Sequence, residues 1–94
     1  MKWEGSIEYW LVTTGPEGTP GINGGIVRKK DFVSPCMVPT MDVPSVENFL
    51  DLVRKAGGRI IVPRHAIFGV GYQAYCADPS GNVFGLHQAD PLAI

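Results

Sequence analysis

The chain lacks any long apolar run, any close cysteine pair and any broad basic stretch, and each absence removes a class of function. Without about 20 consecutive apolar residues there is no candidate membrane-spanning helix. The opening MKWEGSIEYW carries Glu4 where a secretory signal needs its apolar core. The two cysteines, Cys36 and Cys76, lie 40 residues apart with no C-x-x-C pair, which excludes a zinc ribbon and a thioredoxin motif and leaves a disulfide open but not required. Eight basic residues against nine acidic ones give a formal net charge of -1, and the basic run Arg28-Lys29-Lys30 is closed at once by Asp31. A nucleic-acid partner needs a wider basic face. The expectation is a soluble, cytoplasmic protein with neither nucleic acid nor membrane as partner.

What is present suits a small folded domain. Of 94 residues, 45% are hydrophobic and 18% charged, the balance of a globular chain. A single domain of this size buries only roughly 60 to 65% of its unfolded surface, so its stability margin is thin.

The segment IEYWLVTT, residues 7–14, is rich in β-branched and aromatic side chains and reads as a strand. GPEGTPGINGG, residues 15–25, follows with five glycines and two prolines, which forbid a helix. GGIVRKKDF, residues 24–32, returns as a second strand, antiparallel to the first. CMVPTMDV, residues 36–43, reads as a short strand in which Pro39 removes one ladder donor and so marks an edge or a bulge.

Residues 45 to 56 carry the helix. In PSVENFLDLVRKAGG, Val46, Phe49, Leu50, Val53 and Ala56 fall on one face and Glu47, Asn48, Asp51, Arg54 and Lys55 on the other. Ser45 is placed as N-cap, Glu47 suits the first-turn dipole, Arg54 and Lys55 the last turn, and Gly57-Gly58 supplies a left-handed stop. Three strand-like runs follow, RIIVPRHAI, VGYQAYCAD and NVFGLHQAD, separated by Phe68-Gly69 and by a turn over Asp78 to Asn82. The order from residue 36 is β-α-β-β-β. One short helix cannot cover both faces of a four-stranded sheet, so the other face must meet a ligand or another such unit.

VPSVENFLDLVRKAGGRIIVP and GVGYQAYCADPSGNVFGLHQ, with their double glycine and Asp-Pro-x-Gly-Asn turn, resemble the vicinal oxygen chelate superfamily: glyoxalase I, bleomycin-resistance proteins and extradiol dioxygenases. The resemblance spans nearly all of residues 36 to 90. It implies an α+β fold with an antiparallel-rich curved sheet, in which residues 36–94 form a complete βαβββ module of the glyoxalase-like fold. Residues 1–35 resemble only the last strands of a preceding module, with an opening strand and helix missing before Met1. Such a half-sheet would leave Trp3, Trp10 and Leu11 poorly covered, which implies self-association as a homodimer, with exchanged elements as one form.

The same resemblance bears on chemistry. Family metal ligands point into a cup formed by two modules, and their matched positions here are Val38, Gly85 and, more loosely, Gly24 or Gly25. None carries a donor, so no metal is expected. Strand alternation then places Gly85 and His87 on the cup face if Phe84 and Leu86 pack on the helix, with Thr40 and Asp42 sharing that face. Asp42 and His87 are the one acid-histidine pair this parity proposes. His87 could bond a ligand or act as acid or base near neutral pH, or be only a solvated strand end. Tyr75 or Tyr72 could stack on an aromatic ligand or be core, and His65 is expected in a loop beside Arg64 that covers the cup.

Three functions follow. The favoured one is metal-free binding of a small organic molecule in a sheet-lined cup, where glycines such as Gly85 at the vacant ligand positions leave room for it, with His87, Asp42, Thr40, Tyr75 and His65 as ligand-binding residues. A metal-dependent lyase, isomerase or dioxygenase with its site completed by dimerisation is the second. A structural or interaction domain is the third.

Overall fold

The computed structural model describes residues 2–3, 9–27 and 37–94. It contains two compact units, Met1–Ser34 and Pro35–Ile94. In the first, β1 (Lys2–Trp3), β2 (Tyr9–Val12) and β3 (Gly24–Val27) form an antiparallel sheet in that order. The β2–β3 hairpin pairs Leu11 with Gly25 and Val12 with Gly24, and the glycine-rich stretch forms its connection. Asn23 closes that loop by accepting from the Thr14 backbone N–H at 2.9 Å. The strand is shorter than expected, because Thr13 and Thr14 already belong to the loop. Ile7, Glu8, residues 28–32, Cys36 and the Trp3 side chain lie outside the described residues, while Trp10 and Leu11 are half-buried.

The second unit is α+β: β4 (Thr40–Asp42), α1 (Val46–Lys55), β5 (Arg59–Ile67), β6 (Gly71–Ala77) and β7 (Val83–Ala89). Its sheet has the order β4-β7-β6-β5, antiparallel except for the parallel β4–β7 pair. β4 is an edge strand only three residues long. Pro39 sits just before it and keeps a role through its carbonyl, which accepts from Gly85 N–H at 2.8 Å. β5, the other edge, carries two register shifts between Ile60 and His65, around Pro63. Such irregularity suits an edge that lacks a proline donor.

The helix ends follow side-chain chemistry. Ser45, in an extended conformation, accepts from Asn48 N–H, and Glu47 and the pair Arg54, Lys55 complement the dipole at the two ends. At the C-terminus Gly57 N–H donates to Arg54 O and Gly58 N–H to Val53 O, the two bonds of a Schellman motif. Gly57 takes φ +92, where a Cβ is strained, while a Cβ on Gly58 would stand 2.8 Å from both Ala77 O and Val53 Cγ1. The two glycines therefore answer two different demands.

The core lies between α1 and one sheet face. Val46, Leu50, Ala74, Cys76 and Leu86 are buried, with Phe49, Val53, Ile60, Tyr72 and Phe84 packed around them. Ala56 departs from the expected apolar face: it is exposed, because the chain leaves helical geometry there and Ala56 becomes the C-cap. Cys76 is a buried thiol, and burial pushes its pKa up against a smaller opposing pull from Arg54. No helix among the described residues is long and apolar enough to cross a membrane.

Candidate functional site on the sheet face away from the helix

Strand pairing decides which side chains share the face away from the helix. Leu86 and Phe84 pack on the helix side with Ala74, Cys76 and Tyr72, so the alternate positions Gly85, His87, Gln73 and Tyr75 belong to the opposite face. Register then extends this face to both edges: Asp42 lies opposite His87, Gln73 opposite His87, and His65 opposite Gln73. One row, Asp42–His87–Gln73–His65, crosses all four strands. The next row is Thr40, Gly85, Tyr75 and Val62.

All five residues singled out from the sequence thus fall on this face, and the structure corrects the setting of one. His65 lies within β5, not in a loop. Arg64 turns to the helix side, where its Nε stands 3.3 Å from Glu47 Oε1 and its guanidinium lies 4.4 Å from the Tyr72 ring centroid. Alternation then sends His65 outward. Tyr72 belongs to the core side, leaving Tyr75 on the opposite face.

His87 and Asp42 are hydrogen-bonded, with His87 Nδ1 3.0 Å from Asp42 Oδ1. The carboxylate can only accept, so Nδ1 carries the proton and Nε2 is the acceptor of a neutral ring. The Asp42 side chain is 91% exposed and the His87 side chain 21%. The ring lies across its strand: a Cβ at Gly71 on β6, the neighbour on the side away from Asp42, would stand 3.1 Å from Nε2. Two bonds hold this end of the sheet: Val43 N–H donates to the His87 backbone carbonyl at 2.8 Å, and the Gln88 side-chain Oε1 accepts from Val46 N–H at 3.1 Å.

Gln73 joins the site without having been foreseen. It is 6% exposed, and its amide nitrogen donates to Tyr75 Oη at 3.0 Å. The Tyr75 ring also stacks with His65, centroids 6.4 Å apart at 30°. His65 Nδ1 donates to Pro63 O at 3.1 Å, which fixes the same tautomer as in His87. The signal that could have found Gln73 is its position two residues before Tyr75 in a strand, hence on the same face.

Gly85 was expected to leave a vacancy for a ligand. Thr40 takes that space: a Cβ on Gly85 would stand 2.7 Å from Thr40 Oγ1. Among the described residues there is no group of three or more His, Cys, Asp or Glu that could hold a metal ion. The chemistry the face does offer is hydrogen bonding, ring stacking and proton acceptance at imidazole nitrogen.

The row also stands apart from the turn that shapes its strands. Between β6 and β7, Asp78 accepts from the Asn82 side-chain amide at 2.9 Å and from the backbone N–H groups of Asn82 and Ser80 at 2.8 and 2.9 Å. These bonds, the Asn82 amide first, hold its carboxyl below the usual range.

Neither a protein-family model nor a curated protein matches this chain.

Proposed function

We propose that residues 36–94 are a vicinal-oxygen-chelate-like module whose sheet face away from the helix binds a small organic molecule without a metal ion. The observation that carries this reading is the row Asp42–His87–Gln73–His65, polar groups set side by side across four strands. Fixed strands hold such groups more accurately than loops do, and a binding face needs a few oriented polar atoms among rings. The element order β4-α1-β5-β6-β7 supports the family part of the reading.

The test is a titration of ¹⁵N-labelled protein with mixtures of uncharged, acidic and basic organic fragments. Binding is expected to move the signals of Thr40, Gln73, Tyr75 and His87 together. Shifts confined to the helix side, or no shift from any mixture, would remove the proposal.

A homodimer belongs to the same reading, supported by apolar side chains left exposed, among them Met41, Leu52 and Leu92. Sedimentation across a range of concentrations tests it. A monomer throughout would remove it.

A further inference from the structure

We propose that Asn23 is a self-modifying site: in the folded chain the Gly24 nitrogen attacks its side-chain amide, Thr14 stabilises the adduct, and an acid replaces the amide. The site lies in the first unit and does not depend on the small-molecule reading.

The first support is the pair Asn23-Gly24 at the mouth of the β2–β3 loop, both residues exposed. A glycine after asparagine has no Cβ to obstruct its nitrogen, and it reaches the backbone conformations that bring that nitrogen to the asparagine Cγ. Gly24 is the first residue of β3, paired with Val12, and such ladder ends open at low cost. Nothing lies within 4 Å of the position a Gly24 Cβ would take, so no neighbouring side chain fills the space beside it.

The second support is Thr14. Its backbone N–H and its hydroxyl both donate to Asn23 Oδ1, at 2.9 and 3.2 Å. Negative charge develops on Oδ1 when the Gly24 nitrogen adds to Cγ, and donors already aimed at that oxygen favour the adduct over the starting amide. Neither bond holds Nδ2, the group that leaves. Glycine at position 21 allows this arrangement, because a Cβ there would collide with Thr14 Oγ1.

The other two asparagines lack these features. Asn48 lies within α1 and is followed by Phe49. Asn82 donates through Nδ2 to Asp78 at 2.9 Å, and its successor, Val83, is β-branched.

The conversion consumes only water. The Gly24 N–H gives its proton to hydroxide or water, the N–Cγ bond forms, and the Cγ–Nδ2 bond breaks as Nδ2 takes up a proton and leaves as ammonia. Water then opens the cyclic imide at either carbonyl. One opening gives an aspartyl residue, whose carboxylate still accepts from Thr14 and does so more strongly. The other gives an isoaspartyl residue, which puts an extra carbon into the backbone just before the Val12–Gly24 pair. Either product adds a negative charge to a chain of formal net charge -1.

The test incubates the full chain in mildly alkaline buffer, native and in concentrated urea, and follows the asparagines by peptide mapping with mass spectrometry. Conversion is expected at position 23 ahead of positions 48 and 82, as a mixture of aspartyl and isoaspartyl forms. Thr14→Val, which removes the hydroxyl and keeps the backbone N–H, should slow native conversion about fivefold, the worth of one net hydrogen bond. Thr14→Ser should keep the wild-type rate, and in urea all three proteins should convert alike. Gly24→Ala is the second variant. It suits the fold, since Gly24 has no positive φ and an added Cβ meets nothing, yet conversion at position 23 should be lost over the same incubation.

An aspartyl product alone would overturn attack by Gly24, since direct hydrolysis gives no isoaspartyl form. Thr14→Val converting at the wild-type rate in native buffer would overturn the part given to Thr14. Conversion confined to urea, or an unchanged position 23, would sink the site itself.

Discussion

His87 Nδ1 and Asp42 Oδ1, 45 residues apart in the chain, stand 3.0 Å apart because parallel pairing of β4 with β7 sets the two residues opposite each other. The carboxylate makes Nδ1 the protonated nitrogen of the neutral ring. Long-range ¹H–¹⁵N correlation above the imidazole titration should show His87 with Nδ1–H and unprotonated Nε2. Asp42→Ala should return it to a mixture dominated by the Nε2–H form of an unconstrained imidazole. Because Asp42 is so exposed, the cost in folding stability should stay below about 1 kcal/mol. A wild-type ring already in the Nε2–H form would refute the pairing.

Thr40 and Gly85 occupy each other's space. A Cβ added at Gly85 would meet Thr40 Oγ1 at 2.7 Å and Cγ2 at 3.2 Å, so Gly85→Ala is expected to cost about 1–3 kcal/mol, the range for overpacking. Thr40→Ala removes both of those atoms, and the double variant should recover at least about 0.5 kcal/mol of the loss, a coupling that distant sites do not show. Recovery is partial, since the Thr40 Cβ itself lies 3.3 Å from the added atom. Chemical denaturation of the four proteins measures this directly. Strict additivity would mean that Gly85 is demanded by something other than Thr40.

Much of this arrangement was legible in the sequence because alternation and helical spacing are local rules. Phe84 and Leu86 as core neighbours of the helix made Gly85 and His87 outward residues before any register was known. Gln73 was hidden for the opposite reason: its importance comes from lying between His87 and His65, and β6 is placed between β7 and β5 by pairing, which no local pattern specifies. His65 was expected in a loop but lies in β5, because an edge strand can absorb Pro63 through register shifts and run on beyond it. The space over Gly85 was misread because a missing side chain marks close approach as readily as a vacancy. Only the partner strand shows which.

The ends of α1 carry separable contributions. Ser45→Ala removes the acceptor of Asn48 N–H, a 3.2 Å bond, and should lower stability by about 1 kcal/mol. Gly57→Ala forces a side chain into φ +92 and should cost about 1 kcal/mol. Gly58→Ala should cost more, since its Cβ meets the Ala77 carbonyl and the Val53 side chain at once. Urea midpoints compared at constant m-value rank the three. An unchanged midpoint in Gly58→Ala would show that β6 and α1 can separate without penalty.

Asp78 predicts a specific acid limb. Its carboxyl, bonded by the Asn82 amide and by backbone N–H groups, titrates below the ordinary aspartate range in the folded protein. The unfolded chain therefore takes up the proton first as pH falls. The stabilisation is fully present above the unfolded value and disappears as pH drops through the lower, folded one. Asp78→Asn has no such titration, and its amide cannot accept through both terminal atoms as the carboxylate does. The variant should be less stable than wild type at neutral pH, with the gap closing as pH falls below about 4 and the wild-type carboxyl protonates. Urea midpoints across that range are the measurement. A gap that stays constant down to the acid end would show that the turn draws nothing from the charge, and that Asn82 and Gly81 hold its geometry without it.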